Sequence, residues 1–166
     1  VPLNADVWES SVFPSRVRDY EPGMLDELLA SGDIVWVGSK SSGSNAKDAG
    51  SITFHPADSR LLDRPDGCAR NESSDRETMT VPEAVLAALD GGGAFHARQL
   101  SSLAKSLWQD HAEIQVDAAT GEIMFPAWSE EQFEEALWSL VWQGKITNSS
   151  FMPVRALLQQ GHGTTV

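Results

Sequence analysis

One cysteine, Cys68, stands in a chain of 166 residues. A lone thiol closes no internal disulfide and builds no cysteine-based zinc site. Long apolar runs are missing too: the longest covers residues 84–89, six positions, against the roughly twenty a membrane-spanning helix needs. No basic segment leads into an apolar stretch, so no secretory leader is visible and the cytosol is the expected compartment. Positive charge is scarce, with 12 Lys and Arg against 24 Asp and Glu, for a formal charge of -12. A free-standing nucleic-acid binder draws most of its affinity from phosphate neutralisation, which this balance opposes. Contact with nucleic acid therefore has to come from a local patch or with help from neighbouring domains. The chain opens on Val1, not Met, and is expected to be a piece of something longer.

The length and a hydrophobic fraction of 41% fit a soluble globular chain with a real core. Residues 63–78, DRPDGCARNESSDRET, hold no large aliphatic or aromatic side chain and read as a polar linker. The linker sets apart a first unit at residues 1–62, a second at 79–160, and a tail at 161–166. Both sides are acidic, with 8 basic and 13 acidic groups in residues 1–76 and 4 and 11 in residues 77–166.

In the first unit a short helix is predicted near residues 6–13, broken at Pro14. A clearer one spans 22–31, with Pro22 suited to the first turn and Gly32 to the left-handed position past the end. Met24, Leu25, Leu28 and Leu29 share a face. Residues 34–37 and 51–54 are β-prone and flank a Ser, Gly and Lys loop at 38–50, giving helix, strand, loop, strand. That order is the second half of a winged helix, so the first helix is expected upstream. The second unit should hold helices at about 81–89 and 97–108, then a hairpin of residues 114–116 and 123–125 turning at Thr120 and Gly121. Ser129 to Gln132 forms a capping box opening a helix that stops at Gly144. A strand at 145–147 and a short helix at 153–160 complete it.

Leu25, Leu28, Leu29, Gly32 and Ile34 align with Leu137, Leu140, Val141, Gly144 and Ile146 at a constant offset of 112. Aliphatics pack the helix, glycine ends it and isoleucine starts the return, so the pattern reads as an internal repeat. The expected fold is α+β, mainly α: two tandem winged-helix-like units with short β wings.

Candidate chemistry is thin. Residues 38–43 imitate the start of a phosphate-binding loop, but Ser44 and Asn45 follow where Lys and Ser or Thr are required. As a wing, the same loop offers Lys40, Lys47, Ser41 and Ser42 to phosphates without reading sequence, although an ordinary solvated loop has the same composition. His55, His96, His111 and His162 show no paired metal spacing, and no metal site or catalytic residue is assigned. Gln115 and Asp117 have a Gln-x-Asp form, better read as part of a hairpin strand. Glu130, Glu131, Glu134 and Glu135 match a helix dipole at its start and would repel DNA. Trp36, Trp138 and Trp142 are read as packing or docking residues.

Trp8, Glu9, the run from Phe13 to Tyr20, Met24 to Gly32 and Val35 to Gly38 together resemble the large helicase-related (Lhr) family, in the long region C-terminal to its motor. Residues 95–100 are similar to that family's FFRQL element, and residues 136–144 with Thr147 and Asn148 to its ALWDLVWAG…TN segment. Pro153, Arg155, Ala156, Leu157 and Leu158 close a match spanning nearly the whole chain. The loop at 38–50 and the longer stretch at 109–128 depart from the family pattern. The resemblance implies a bacterial superfamily 2 helicase linked to DNA repair, with ATP and magnesium at a motor elsewhere in the parent and no cofactor in this piece. It implies partners of two kinds: single-stranded or hybrid nucleic acid through the parent, and adjacent winged-helix and β-barrel domains of the same chain. No membrane partner is expected. Positioning nucleic acid or scaffolding neighbouring domains is the expected role. Part of a DNA glycosylase-like module, or an acidic protein-interaction module, are the alternatives.

Overall fold

The computed structural model describes residues 1–40, 49–60, 62, 79–90, 92–111, 115–116, 123–124 and 127–161. The architecture is α+β and mainly helical. Two compact units divide it: unit 1 combines Val1–Gly67 with Trp138–Val166, and unit 2 is Cys68–Leu137. The expected grouping kept residues 79–160 in one unit, whereas here residues 138–160 group with the N-terminal part.

Unit 1 opens with strand β1 (Leu3–Asn4), followed without a break by α1 (Ala5–Val7), a π-helical stretch (Trp8–Val12) and α2 (Phe13–Arg16). Pro14 does not end the helix as expected. It lies in the first turn of α2, directly after the π-helical stretch, and the helix continues to Arg16. Helix α3 (Pro22–Ser31) then leads into the antiparallel pair β2 (Ile34–Ser39) and β3 (Ser51–Pro56). Their register runs from Ile34 opposite Pro56 to Ser39 opposite Ser51, and β1 adds to the far side of β3. Helix–helix–hairpin with a third strand on the sheet is a winged-helix arrangement.

The remaining core comes from the far end of the sequence. Helix α6 (Glu130–Trp142) crosses the unit boundary, and α7 (Met152–Gly161) belongs to unit 1. Val141, Trp142, Phe151, Val154 and Leu157 are buried in one cluster with Ala5, Leu25, Leu29, Trp36 and Ile52. Phe151 meets Trp36 edge-on at 6.1 Å and Phe54 at 5.6 Å. Residues 145–147 form no strand, contrary to expectation. Thr147 instead ties to β2 through its hydroxyl, which donates to the Trp36 carbonyl at 2.6 Å.

An ion cluster fastens α7 to the N-terminal segments. The Arg155 guanidinium donates to Glu9 at 2.7 and 2.8 Å and to Asp26 at 2.6 Å, and lies 5.6 Å from the Phe151 ring centroid. Asp26 also accepts from the Phe151 amide at 3.0 Å, which satisfies a free donor at the start of α7. Burial works against the Asp26 charge, but these bonds outweigh it and hold the carboxyl below its usual range. Tyr20 donates to Glu9 at 2.6 Å, and its phenol is pushed upward first by burial and then by that carboxylate.

Because all three charged groups are less than a third exposed but not fully buried, Arg155→Met should cost about 2 kcal/mol in chemical denaturation at neutral pH, between the values for exposed and for fully buried pairs. The Asp26 part of this stabilisation exists above its unfolded pKa near ~3.9. It is lost as pH falls through the lower folded value. Arg155→Met should therefore flatten the acid limb of a stability–pH curve, while Asp26→Asn should abolish that part of it.

In unit 2, α4 (Val81–Leu89) begins at a capping box of Thr80 and Glu83. It packs against α5 (Ala97–Asp110). Ala84, Val85, Leu100, Ala104, Phe133 and Ala136 are buried. Buried Ser101 donates to Glu130 at 2.9 Å, and the Trp128 indole donates to the same carboxylate at 3.2 Å. Trp128 in turn lies 5.6 Å from Trp108 and 6.0 Å from Phe133, ring to ring. After α5 come the paired strands β4 (Gln115–Val116) and β5 (Ile123–Met124).

Candidate nucleic-acid interface

The root of the β2–β3 hairpin in unit 1 gathers several residues singled out by the sequence. Gly38 on β2 and Gly50 before β3 leave room for the Trp142 ring. A Cβ on Gly38 would sit 2.8 Å from that ring and 2.7 Å from the Val141 carbonyl, and one on Gly50 would sit 2.9 Å from the ring. Carbon atoms do not approach so closely, so both positions require glycine for space. Trp138 stacks on Trp142 at 5.6 Å with an interplanar angle of 20°. From the hairpin side, Lys40 places its Nζ 5.9 Å from the Trp142 ring centroid, within reach of a cation–π attraction.

The structure thus unites Lys40, Trp138 and Trp142 but sends Trp36 elsewhere. Trp36 is 1% exposed and acts in packing, Trp142 is also buried, and Trp138 stays partly open. Ser41, Ser42 and Lys47, the other wing candidates, lie outside the described residues, as does Asp117. Among the described residues no three His, Cys, Asp or Glu side chains are grouped to hold a metal ion. Nor does any described helix have the length and apolar character to cross a membrane.

Helix α3 occupies the place before the hairpin, where a winged helix presents its reading helix to a DNA groove. Here that helix is PGMLDELLAS, with two carboxylates and no cation. The sequence grouped Met24, Leu25, Leu28 and Leu29 on one face. Leu25 and Leu29 are indeed buried, but Met24 is 41% and Leu28 46% exposed. The apolar stripe is wider than the surface it packs on, so its outer edge faces solvent. Sequence reasoning missed the two space-giving glycines, whose signal was a glycine at either foot of the loop. It also missed Arg155 as a partner of Glu9, which no local spacing could reveal.

Residues 1–57 match the family model described as "Large helicase-related protein, winged-helix domain". Across 95% of its length the chain is 37% identical to "Lhr helicase/ probable uracil glycosylase" of Mycolicibacterium smegmatis, and it is 35% identical, again over 95%, to "Lhr helicase/uracil glycosylase" of Escherichia coli K12. The chain belongs to the Lhr family. It spans 9% of the length of each of these relatives. In this Lhr segment the winged-helix match ends just past β3, so the model covers the N-terminal part of unit 1 and none of the C-terminal part that completes its core.

Proposed function

We propose that this segment is a non-motor winged-helix module in the C-terminal region of an Lhr-type helicase, and that unit 1 scaffolds a neighbouring domain of the same polypeptide. The observation that carries the reading is the outer surface of α3. Helix α3 carries no Lys or Arg, its Asp26 is taken up by Arg155 and its Glu27 is exposed, so it offers phosphates no attraction, whereas Met24 and Leu28, one turn apart and both exposed, offer an apolar anchor for a protein surface. Because the segment is 9% of its relatives' length, most of the parent lies outside it and can supply that surface. On this reading, ATP, magnesium and strand separation belong to the parent's motor, and a contribution to DNA repair comes through the whole protein. A glycosylase-like role for unit 1 gains no support from Asp26, whose carboxylate is taken up by Arg155 and the Phe151 amide.

The test uses the parent lacking this segment, with the 166-residue chain supplied separately. Wild type should associate, and Met24→Asp/Leu28→Asp should weaken association at least about tenfold. The same double variant should leave the segment's own stability within about 0.5 kcal/mol, since both side chains are surface residues. Equal association of the variant and wild type, or none by wild type, would sink the docking reading.

A further inference from the structure

Unit 2 carries a surface of the opposite kind, and no contact proposed for unit 1 involves it. Between Asp90 and Asp110 the sequence contains no carboxylate, in a chain whose formal charge is -12. Most of this acid-free stretch is α5, which follows α4 and precedes the β4–β5 hairpin. On α5 the residues Arg98, Ser102, Lys105 and Gln109 fall at successive spacings of four, three and four, so they line one face, and all four are exposed. Leu100, Ser101 and Ala104 face the other way and are buried. Among the described residues, neither Arg98 nor Lys105 lies within ion-pairing distance of a carboxylate.

Beside the N-terminal half of this face is an open depression of about 600 Å³, lined by Ala94, Phe95, Arg98, Gln99, Ser102 and Leu103. Phe95 is 38% and Leu103 44% exposed. An aromatic ring and a leucine left in solvent beside a guanidinium, an amide and a hydroxyl form a mixed surface, part apolar and part hydrogen-bonding. We infer that α5 and this depression bind single-stranded nucleic acid, with an unpaired base against Phe95 and the backbone along Arg98 and Lys105.

The charge argument selects a polyanion, because two cations with no carboxylate partner among the described residues are complementary to phosphate. The depression selects a single strand over a duplex. Stacked, paired bases have no face to give Phe95, whereas an unpaired base of any identity has one. Arg98 and Gln99 can hydrogen-bond to the edge of such a base, while Lys105, two turns along, acts on the backbone as a point charge. With few phosphates neutralised, binding should be weak in the isolated segment and strongly salt-dependent.

The 166-residue chain can be titrated against a fluorescein-labelled mixed-sequence oligonucleotide, reading anisotropy at low salt and again at about threefold higher salt. Wild type should bind at low salt and weaken at the higher. Arg98→Ala/Lys105→Ala should lose about tenfold or more in affinity and lower the slope of log affinity against log salt by roughly 0.7 for each phosphate contact removed. Phe95→Ala should lose about tenfold with the slope unchanged, because stacking releases no counterions. Lys40→Ala, in unit 1, should bind as wild type. All these side chains are at least partly exposed, and unchanged melting curves verify that each variant is folded. Absence of salt-sensitive binding by wild type, indifference to the α5 substitutions, or equally tight binding of the matching duplex would each overturn the assignment.

Discussion

A chain ending at Leu62 should fail to fold, although it retains every residue that the winged-helix family model matches. Such a piece keeps β1 to β3 and α1 to α3 but loses Val141, Trp142, Phe151, Val154 and Leu157, half of the ten residues in the buried cluster of unit 1. Trp36, 1% exposed in the whole segment, would lose its edge-on contact with Phe151, and the Glu9 and Asp26 carboxylates would lose Arg155. Each large apolar side chain removed from a core costs about 2–5 kcal/mol. Five such losses together exceed the whole stability of a small domain, about 5–15 kcal/mol. Far-UV circular dichroism and amide proton dispersion of residues 1–62 should show an unfolded chain. Joining residues 138–161 back through a flexible linker should restore a cooperative transition. A cooperative, native-like fold of residues 1–62 alone would show that the C-terminal part is an accessory.

Trp142→Ala should be the most damaging single substitution, costing about 3–5 kcal/mol in a denaturant titration. The ring is buried, stacks with Trp138 and fills the space that Gly38 and Gly50 leave open, so its removal opens a void bounded by backbone. Backbone on β2 and just before β3 cannot collapse into such a void as side chains can. The reverse intrusion should also be costly. Gly38→Ala sets a methyl 2.7 Å from the Val141 carbonyl, a backbone atom that cannot rotate away, and overpacking of this kind costs about 1–3 kcal/mol. Combining Gly38→Ala with Trp142→Ala should cost less than the sum of the two, since the smaller residue relieves part of the clash. Strict additivity would mean that the ring and the glycine do not share the space.

The parts of this architecture legible in the sequence are those decided locally. Pro22–Ser31 is bounded by residues whose backbone preferences act within one turn, Pro22 and Gly32, and Val81–Leu89 is also found where expected, with a Thr80 and Glu83 capping box that the structure adds. The hairpin of β2 and β3 was readable from β-prone residues on either side of a Ser- and Gly-rich loop. What stayed hidden depends on partners distant in sequence. Nothing in Phe151 says that its neighbours are Trp36 and Phe54. The repeat at an offset of 112 located a second helix end at Gly144 correctly, with φ of 66°, but implied a strand after it that did not form. Gly144 serves a packing need there, since a Cβ would sit 3.0 Å from Val37. The candidate interface is half legible: Lys40 and the two tryptophans converge, while the cationic face of α5 is hidden because Arg98 and Lys105 stand seven positions apart, with no basic run between them, in a chain whose total charge is acidic.

The divided composition of unit 1 has a consequence for how the protein is made. Strands β2 and β3 emerge from the ribosome long before α7, which supplies Val154 and Leu157 to their core. At roughly 5–20 residues per second, the wait between Leu62 and Leu157 lasts about 5–20 s. Residues 68–137 are synthesised within that interval, and their core contacts are closer together in sequence, so unit 2 can finish first although it starts later. The N-terminal strands spend those seconds with Trp36 and Ile52 uncovered. Substitutions that weaken α7 should therefore lower the yield of newly made protein more than they lower the stability of protein already folded.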